Sequence, residues 1–180
     1  MAKVKVEKGR ATINNLPQGI EVIIPSKKRY FMIVFLSFWL FGWFFGELGA
    51  IKNLLDWEDK LPNLFMIVWL CGWTVGGAFA IVTWFYNVKG KEVVRIDGQE
   101  LKYVRDFFLF KRSKEYDVIN IKDLRVNLNS SNNNGIEYLG ISGGTIAFDY
   151  GRSTHVFGTG LDEAEAKHII QTIKNRYKNL

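Results

Sequence analysis

The chain has 180 residues, of which 48% are hydrophobic and 15% aromatic, and a formal net charge of +6. That content is high for a water-soluble domain and unevenly spread: Tyr30 to Ile51 carries one charge, Glu47, and Leu64 to Tyr86 none, whereas the 92 residues from Lys89 onward carry 15 basic and 12 acidic side chains. One cysteine, Cys71, excludes a disulfide framework and any Cys-based zinc or iron–sulfur site, and two histidines leave little for a His metal cluster.

In chain order, Met1 to Asn15 reads as a basic, disordered tail and Gly19 to Ile24 (GIEVII) as a short strand. Lys27, Lys28 and Arg29 complete a basic cytoplasmic N-terminal segment, 1–29. Two apolar runs follow, 30–51 and 64–86, within a hairpin spanning 30–86. Each exceeds the roughly 20 apolar residues needed to cross about 30 Å of hydrocarbon. The twelve Leu, Ile, Phe and Val residues of the first run favour insertion by about 4 to 7 kcal/mol, more than the about 3 kcal/mol cost of one central charge. The basic cluster ahead of this run resembles the start of a signal peptide, but the run is too long for an h-region and no small-x-small site follows. Basic residues flank the pair outside (Lys27, Lys28, Arg29; Lys89, Lys91), while the connection from Lys52 to Asn63 has two basic and three acidic residues. The positive-inside rule then places both termini in the cytoplasm. Ile51, Leu54, Leu55, Trp57 and Leu61 fit that connection to the membrane interface. Gly42 and Gly46 in the first run, and Gly72 and Gly76 in the second, form GxxxG pairs expected to make the hairpin seam, with a dimer or heteromeric contact as the alternative. Glu47 is expected near the headgroups, since no intramembrane Lys, Arg or His is there to pair with it; an intramembrane functional role is the alternative.

The soluble part, 87–180, shows seven strand-like segments: Glu92 to Ile96, Glu100 to Phe107, Leu109 to Tyr116, Ile121 to Leu128, Ile136 to Ile141, Thr145 to Tyr150 and Thr154 to Phe157. Asp97-Gly98 is a strong hairpin signal, Gly143-Gly144 and Gly151-Arg152 read as further turns, and Ser130 to Gly135 as an exposed loop. Asp162 with Glu165 three residues on starts a closing helix, whose apolar face is Ala166, Ile169, Ile170, Ile173 and Tyr177. The fold class is thus α+β: a two-helix transmembrane hairpin, then an antiparallel meander capped by a C-terminal helix.

Seven short antiparallel strands followed by one amphipathic helix is the element order of the pleckstrin-homology (PH) superfold, a seven-stranded, partly open barrel. IPSKKRYFMIVFLSFWLFGWFFGE, entering the first span, and FDYGRSTHVFGTGLDEAEAKHII, running from a late strand into the helix, resemble small bacterial inner-membrane proteins with a two-span hairpin and a cytoplasmic PH-like domain. The resemblance covers most of the chain beyond residue 19 and implies a fold and an inner-membrane location but no settled activity. PH domains that bind phosphoinositides carry basic residues around the first hairpin; here it reads RIDGQELK, acidic at its tip, which argues against inositide recognition.

Neither His155 nor His168 stands in a metal or catalytic motif, and Ser142, Ser153 and Thr154 lack a nucleophile-elbow context. Gly140 to Gly144 and Gly158 to Gly160 read as turns, because neither GK(S/T) nor GxGxxG is present and, after the second, Asp162 and Glu163 at the helix start would repel a phosphate. No catalytic, cofactor-binding or metal residue is assigned. The basic excess lies mainly beside the spans, which favours anionic lipid over nucleic acid as the partner. Lys111, Arg112 and Lys114, next to Phe107, Phe108 and Phe110, form the one basic cluster of the sheet: either a lipid-docking edge or a solvated strand edge. The expectation is a multi-pass membrane protein presenting a non-catalytic interaction or scaffold domain to lipid, to another membrane protein or to a second copy. The alternatives are an accessory subunit of a larger membrane complex and, less favoured, an enzyme acting on a lipid or small molecule.

Overall fold

The computed structural model describes residues 3–5, 9–55, 64–127, 143–178 and 180. The chain divides into two compact units: residues 28–88 form one, and residues 1–27 with 89–180 form the other.

The first unit is a pair of helices, α1 (Tyr30–Leu55) and α2 (Leu64–Lys89), each long and apolar enough to cross a membrane. They are apolar on every side, and only 6% of the residues in the most apolar stretch of either are buried, unlike a core helix of a soluble protein. Polar groups fasten the pair. Trp84 Nε1 donates to Ser37 Oγ at 2.8 Å, Trp43 Nε1 donates to the Trp73 carbonyl at 3.2 Å, and Thr74 Oγ1 donates to Glu47 Oε1.

Among the described residues the second unit holds nine strands in two antiparallel sheets and one helix. The first sheet runs in sequence order: β1 (Lys3–Lys5), β2 (Thr12–Asn15), β3 (Gly19–Pro25), β4 (Lys91–Asp97), β5 (Glu100–Asp106) and β6 (Lys111–Asp117). Alternation decides its inward face: Ile20, Val22 and Ile24 on β3 and Val94 and Ile96 on β4 are all buried. The β4–β5 hairpin turns at Gly98, whose φ of 60° is the left-handed conformation that a two-residue turn requires. One 3-10 turn at Val118–Asn120 breaks the meander and leads into the second sheet, β7 (Ile121–Val126), β8 (Ile146–Tyr150) and β9 (Ser153–Phe157). Helix α3 (Glu163–Arg176) starts where Asp162 accepts from the Glu165 amide at 2.7 Å and lays Ala166, Ile169, Ile170 and Ile173 on the core.

Three expectations change. The segment before the first helix is part of the soluble unit, because β3 pairs with β4 along its whole length, from Gly19 opposite Asp97 to Pro25 opposite Lys91. The two apolar helices are therefore an insertion into the connection of one antiparallel strand pair. Within the tail expected to be disordered, Thr12–Asn15 is a strand against β3, and Ala11 is buried, its amide donating to Glu165 Oε1 at 2.6 Å. That bond takes the Glu165 carboxylate away from the capping role that its spacing implied. Six strands are described after the helices, divided between two sheets rather than forming one meander; the expected strand Ile136 to Ile141 and the loop Ser130 to Gly135 lie outside the described residues.

Candidate anion-binding cleft

Among the described residues, strands β6 and β9 are outer edges of their sheets. Between them lies a cleft of about 280 Å³, lined by residues of β5, β6, β8 and β9. Strand alternation selects the side chains that enter it: Arg112, Lys114 and Tyr116 on β6 stand opposite Arg105, Tyr103 and Leu101 on β5. Lys111 and Glu115 fall on the other face, where Glu115 pairs with Lys102 at 2.5 Å.

The floor is a buried ion pair. Arg105 Nη2 donates to Glu92 Oε1 at 3.0 Å, with the two side chains 9% and 1% exposed. The Glu92 carboxylate also accepts from the Gly158 amide at 2.8 Å and from Thr159 Oγ1 at 2.6 Å, while Arg105 Nε donates to the Tyr103 hydroxyl at 2.9 Å. A carboxylate taken out of water is costly to bury unless it is paired and hydrogen-bonded, and these donors supply both. Glu92 stands at a buried position of β4, opposite Ile24 on β3 and Arg105 on β5, and its partners come from β5 and the turn after β9.

The walls are aromatic. The Tyr116 ring lies 5.2 Å from Phe148 edge-on and 4.9 Å from His155, and Tyr103 is 6.4 Å from Phe157. Burial holds the Tyr116 phenol above its usual range, with the neighbouring Tyr150 adding to the effect. Burial also pushes the His155 imidazole below 6.5, and the nearby Lys114 ammonium pushes it the same way. That shift favours the neutral form of His155, and the net charge of the lining comes from Arg112 and Lys114, since Arg105 is paired with Glu92. Neither cation has an acid partner among the described residues, and no carboxylate is among the described lining residues. Two unpaired cations beside aromatic faces can hold an anionic group with a flat or apolar body attached.

Comparison with known proteins finds no matching family, no matching curated protein and no matching solved structure.

The other residues singled out from sequence fall as follows. Arg112 and Lys114 line the cleft, while Lys111, on the outer face, reaches Asp106 at 3.7 Å. Lys27, Lys28 and Lys91 are exposed, and Lys89 Nζ sits 4.7 Å from the centroid of the Phe108 ring. The glycine expectation is corrected: a Cβ added at Gly42, Gly46, Gly72 or Gly76 would meet nothing within 4 Å, so these residues do not form the helix seam. The close approach is at Gly77, where a Cβ would overlap the Trp43 ring. Glu47 is 9% exposed and bonded to Thr74 of the facing helix, a hydroxyl partner that a search for cations overlooks. Sequence reasoning passed over Arg105 and Glu92, and the available signal was two opposite charges at inward positions of neighbouring strands.

Proposed function

We propose that this chain is an integral membrane protein of the cytoplasmic membrane, its two apolar helices spanning the bilayer with both termini inside, and that it holds a PH-like, non-catalytic binding module at the cytoplasmic face. The order of the strands from β3 to β9, with α3 closing the core, supports the PH-like reading, the first strand being separated from the second by the inserted helices. Basic residues beside both outer helix ends, Lys27 to Arg29 and Lys89 with Lys91, support the orientation.

The observation that carries the reading is the pair Arg112 and Lys114, unpaired among the described residues and standing on one wall of an aromatic cleft. The lining supplies cations, rings and a single imidazole, a set that suits holding an organic anion rather than transforming one. The ligand is an organic phosphate or carboxylate with a flat or short apolar body. The test titrates phenyl phosphate, with inorganic phosphate beside it, into the full chain in mild detergent. Phenyl phosphate is expected to bind more tightly than inorganic phosphate, and Arg112→Gln with Lys114→Gln to abolish the binding. Equal, weak binding by wild type and the double variant overturns the reading. For orientation, a membrane-impermeant reagent that labels the C-terminus of intact cells refutes the topology.

The second reading, an accessory subunit of a larger membrane complex, is favoured by one observation. Gly42, Gly46, Gly72 and Gly76 are exposed and open, so a partner helix can approach either backbone closely. Gentle extraction separates the two readings: a stoichiometric membrane partner lost on Gly72→Leu or Gly42→Leu supports the subunit.

A further inference from the structure

The loop between β5 and β6 reads Phe107-Phe108-Leu109-Phe110, and its last three residues are 50%, 52% and 49% exposed. Water-exposed loop tips are ordinarily polar, so three consecutive large apolar residues at one tip call for a covering surface.

The loop is held in shape. The Phe107 amide donates to the Phe110 carbonyl at 3.0 Å, the Phe108 amide donates to Asp106 Oδ1 at 2.9 Å, and the Phe107 ring stacks on Phe110 at 4.8 Å. Phe108 has φ of 71°, a left-handed conformation that a bulky aromatic residue rarely adopts. The chain keeps this strained geometry while leaving Phe108 half in water, an arrangement that contributes little to a core and does present the ring outward. Phe107 is the exception: it is buried and lines the cleft, so it anchors the loop to the domain.

Register says what the loop faces. Pro25 opposes Lys91, and Lys91 opposes Asp106, so the strand ends by which the chain leaves for the apolar helices and returns from them stand beside this loop. The Asp97-Gly98 turn is at the far end of the same strands, about 20 Å away at 3.4 Å per residue. Cations surround the loop: Lys89 over the Phe108 ring, Lys91 at the adjoining strand end, Lys111 immediately after it. An apolar tip ringed by lysines, at the end of the sheet where the chain enters its proposed spans, has the chemistry of an interfacial anchor: rings at acyl depth and ammonium groups among anionic headgroups.

We infer that Phe108, Leu109 and Phe110 insert into the anionic leaflet of the bilayer that the chain's own helices span, and so hold the sheet end against the membrane. This goes beyond the cleft reading and stands apart from it, since cleft binding is measured in detergent without a bilayer.

The test uses the full chain with Cys71→Ser, carrying a nitroxide on Leu109→Cys or, as the distal reference, on Gln99→Cys, in phosphatidylcholine vesicles with and without phosphatidylglycerol. Power saturation compares collision with oxygen and with a water-soluble nickel chelate. The oxygen-to-nickel ratio at position 109 is expected to exceed that at 99 several-fold in phosphatidylglycerol vesicles, to fall in phosphatidylcholine alone, and to drop to the value at 99 when Phe108→Asp is added. The label at 99 should be unchanged in the Phe108→Asp protein, which shows that the domain stays folded. Equal, water-like ratios at 109 and 99 in anionic vesicles overturn the inference, as does a lipid-like signal at 109 that survives Phe108→Asp.

Discussion

Replacing Glu92 with leucine tests the account of the buried pair. The substitution removes the acceptor of three hydrogen bonds, from Arg105 at 3.0 Å, the Gly158 amide at 2.8 Å and Thr159 at 2.6 Å, and leaves a guanidinium that is 9% exposed. The Tyr103 hydroxyl at 2.9 Å still accepts from Arg105, but the buried ion pair with Glu92 is lost. Breaking a buried pair from one side costs about 3 to 5 kcal/mol, a third or more of the 5 to 15 kcal/mol typical of a whole domain. Glu92→Leu combined with Arg105→Leu removes the charge altogether. What then remains is the unsatisfied Gly158 amide, at about 1 to 3 kcal/mol, partly offset by the added apolar contact. The double variant should therefore be more stable than Glu92→Leu alone, with a coupling of about 2 kcal/mol or more between the two positions. Urea titration of the full chain in mild detergent, read by pulse proteolysis, measures all four corners of the cycle. A Glu92→Leu protein within about 1 kcal/mol of wild type would refute the reasoning, because breaking the buried pair from one side would then cost the fold little. So would additive losses in the double variant.

Three further outcomes are expected. Gly77→Val should loosen the helix pair, because its side chain must displace the Trp43 ring, whereas Gly72→Ala and Gly76→Ala should leave it intact; the rate of cysteine cross-linking between the two helices reads the difference. Asp162→Ala should cost about 1 kcal/mol by removing the cap on the Glu165 amide, seen as faster hydrogen exchange in the first turn of α3. His155 should titrate below 6.5 in the free protein, because burial, then Lys114, disfavours its charged form. The sign follows: above 6.5 the ring is neutral whether folded or unfolded and contributes nothing, and as pH falls below 6.5 the unfolded chain binds the proton first, which destabilises the fold. An anion held by Lys114 and Arg112 reverses that effect, so phenyl phosphate should raise the His155 pKa and bind more tightly at lower pH; an NMR titration showing no upward shift on saturation counts against the cleft site.

Local patterns were legible wherever neighbours in sequence are also neighbours in space. The two apolar runs became α1 and α2, each extending three or four residues beyond the expected end, because the flanking turns still satisfy their backbone bonds within the helix. Alternation located β3 to β7, β8 and β9 to within a few residues, and the Asp162 spacing located the cap of α3. The small-residue motif failed for a definite reason. GxxxG places two glycines on one stripe of a helix but does not say which stripe faces the partner, and here bulky Trp43 seated over Gly77 decides the approach.

Composition and periodicity alone determined the separation of apolar helices from a charged, strand-rich part, since hydrophobic run length and side-chain period are properties of contiguous residues. Only the tertiary structure decided that residues before the helices belong to the sheet after them, that Glu47 finds Thr74, and that Arg105 is neutralised by Glu92 while Arg112 and Lys114 are left facing a cleft. Each of these joins residues distant in the chain, through strand register or the facing of two helices. The energy of such a meeting, the exclusion of water from a charge or the pairing of two strands, does not exist until the elements have come together.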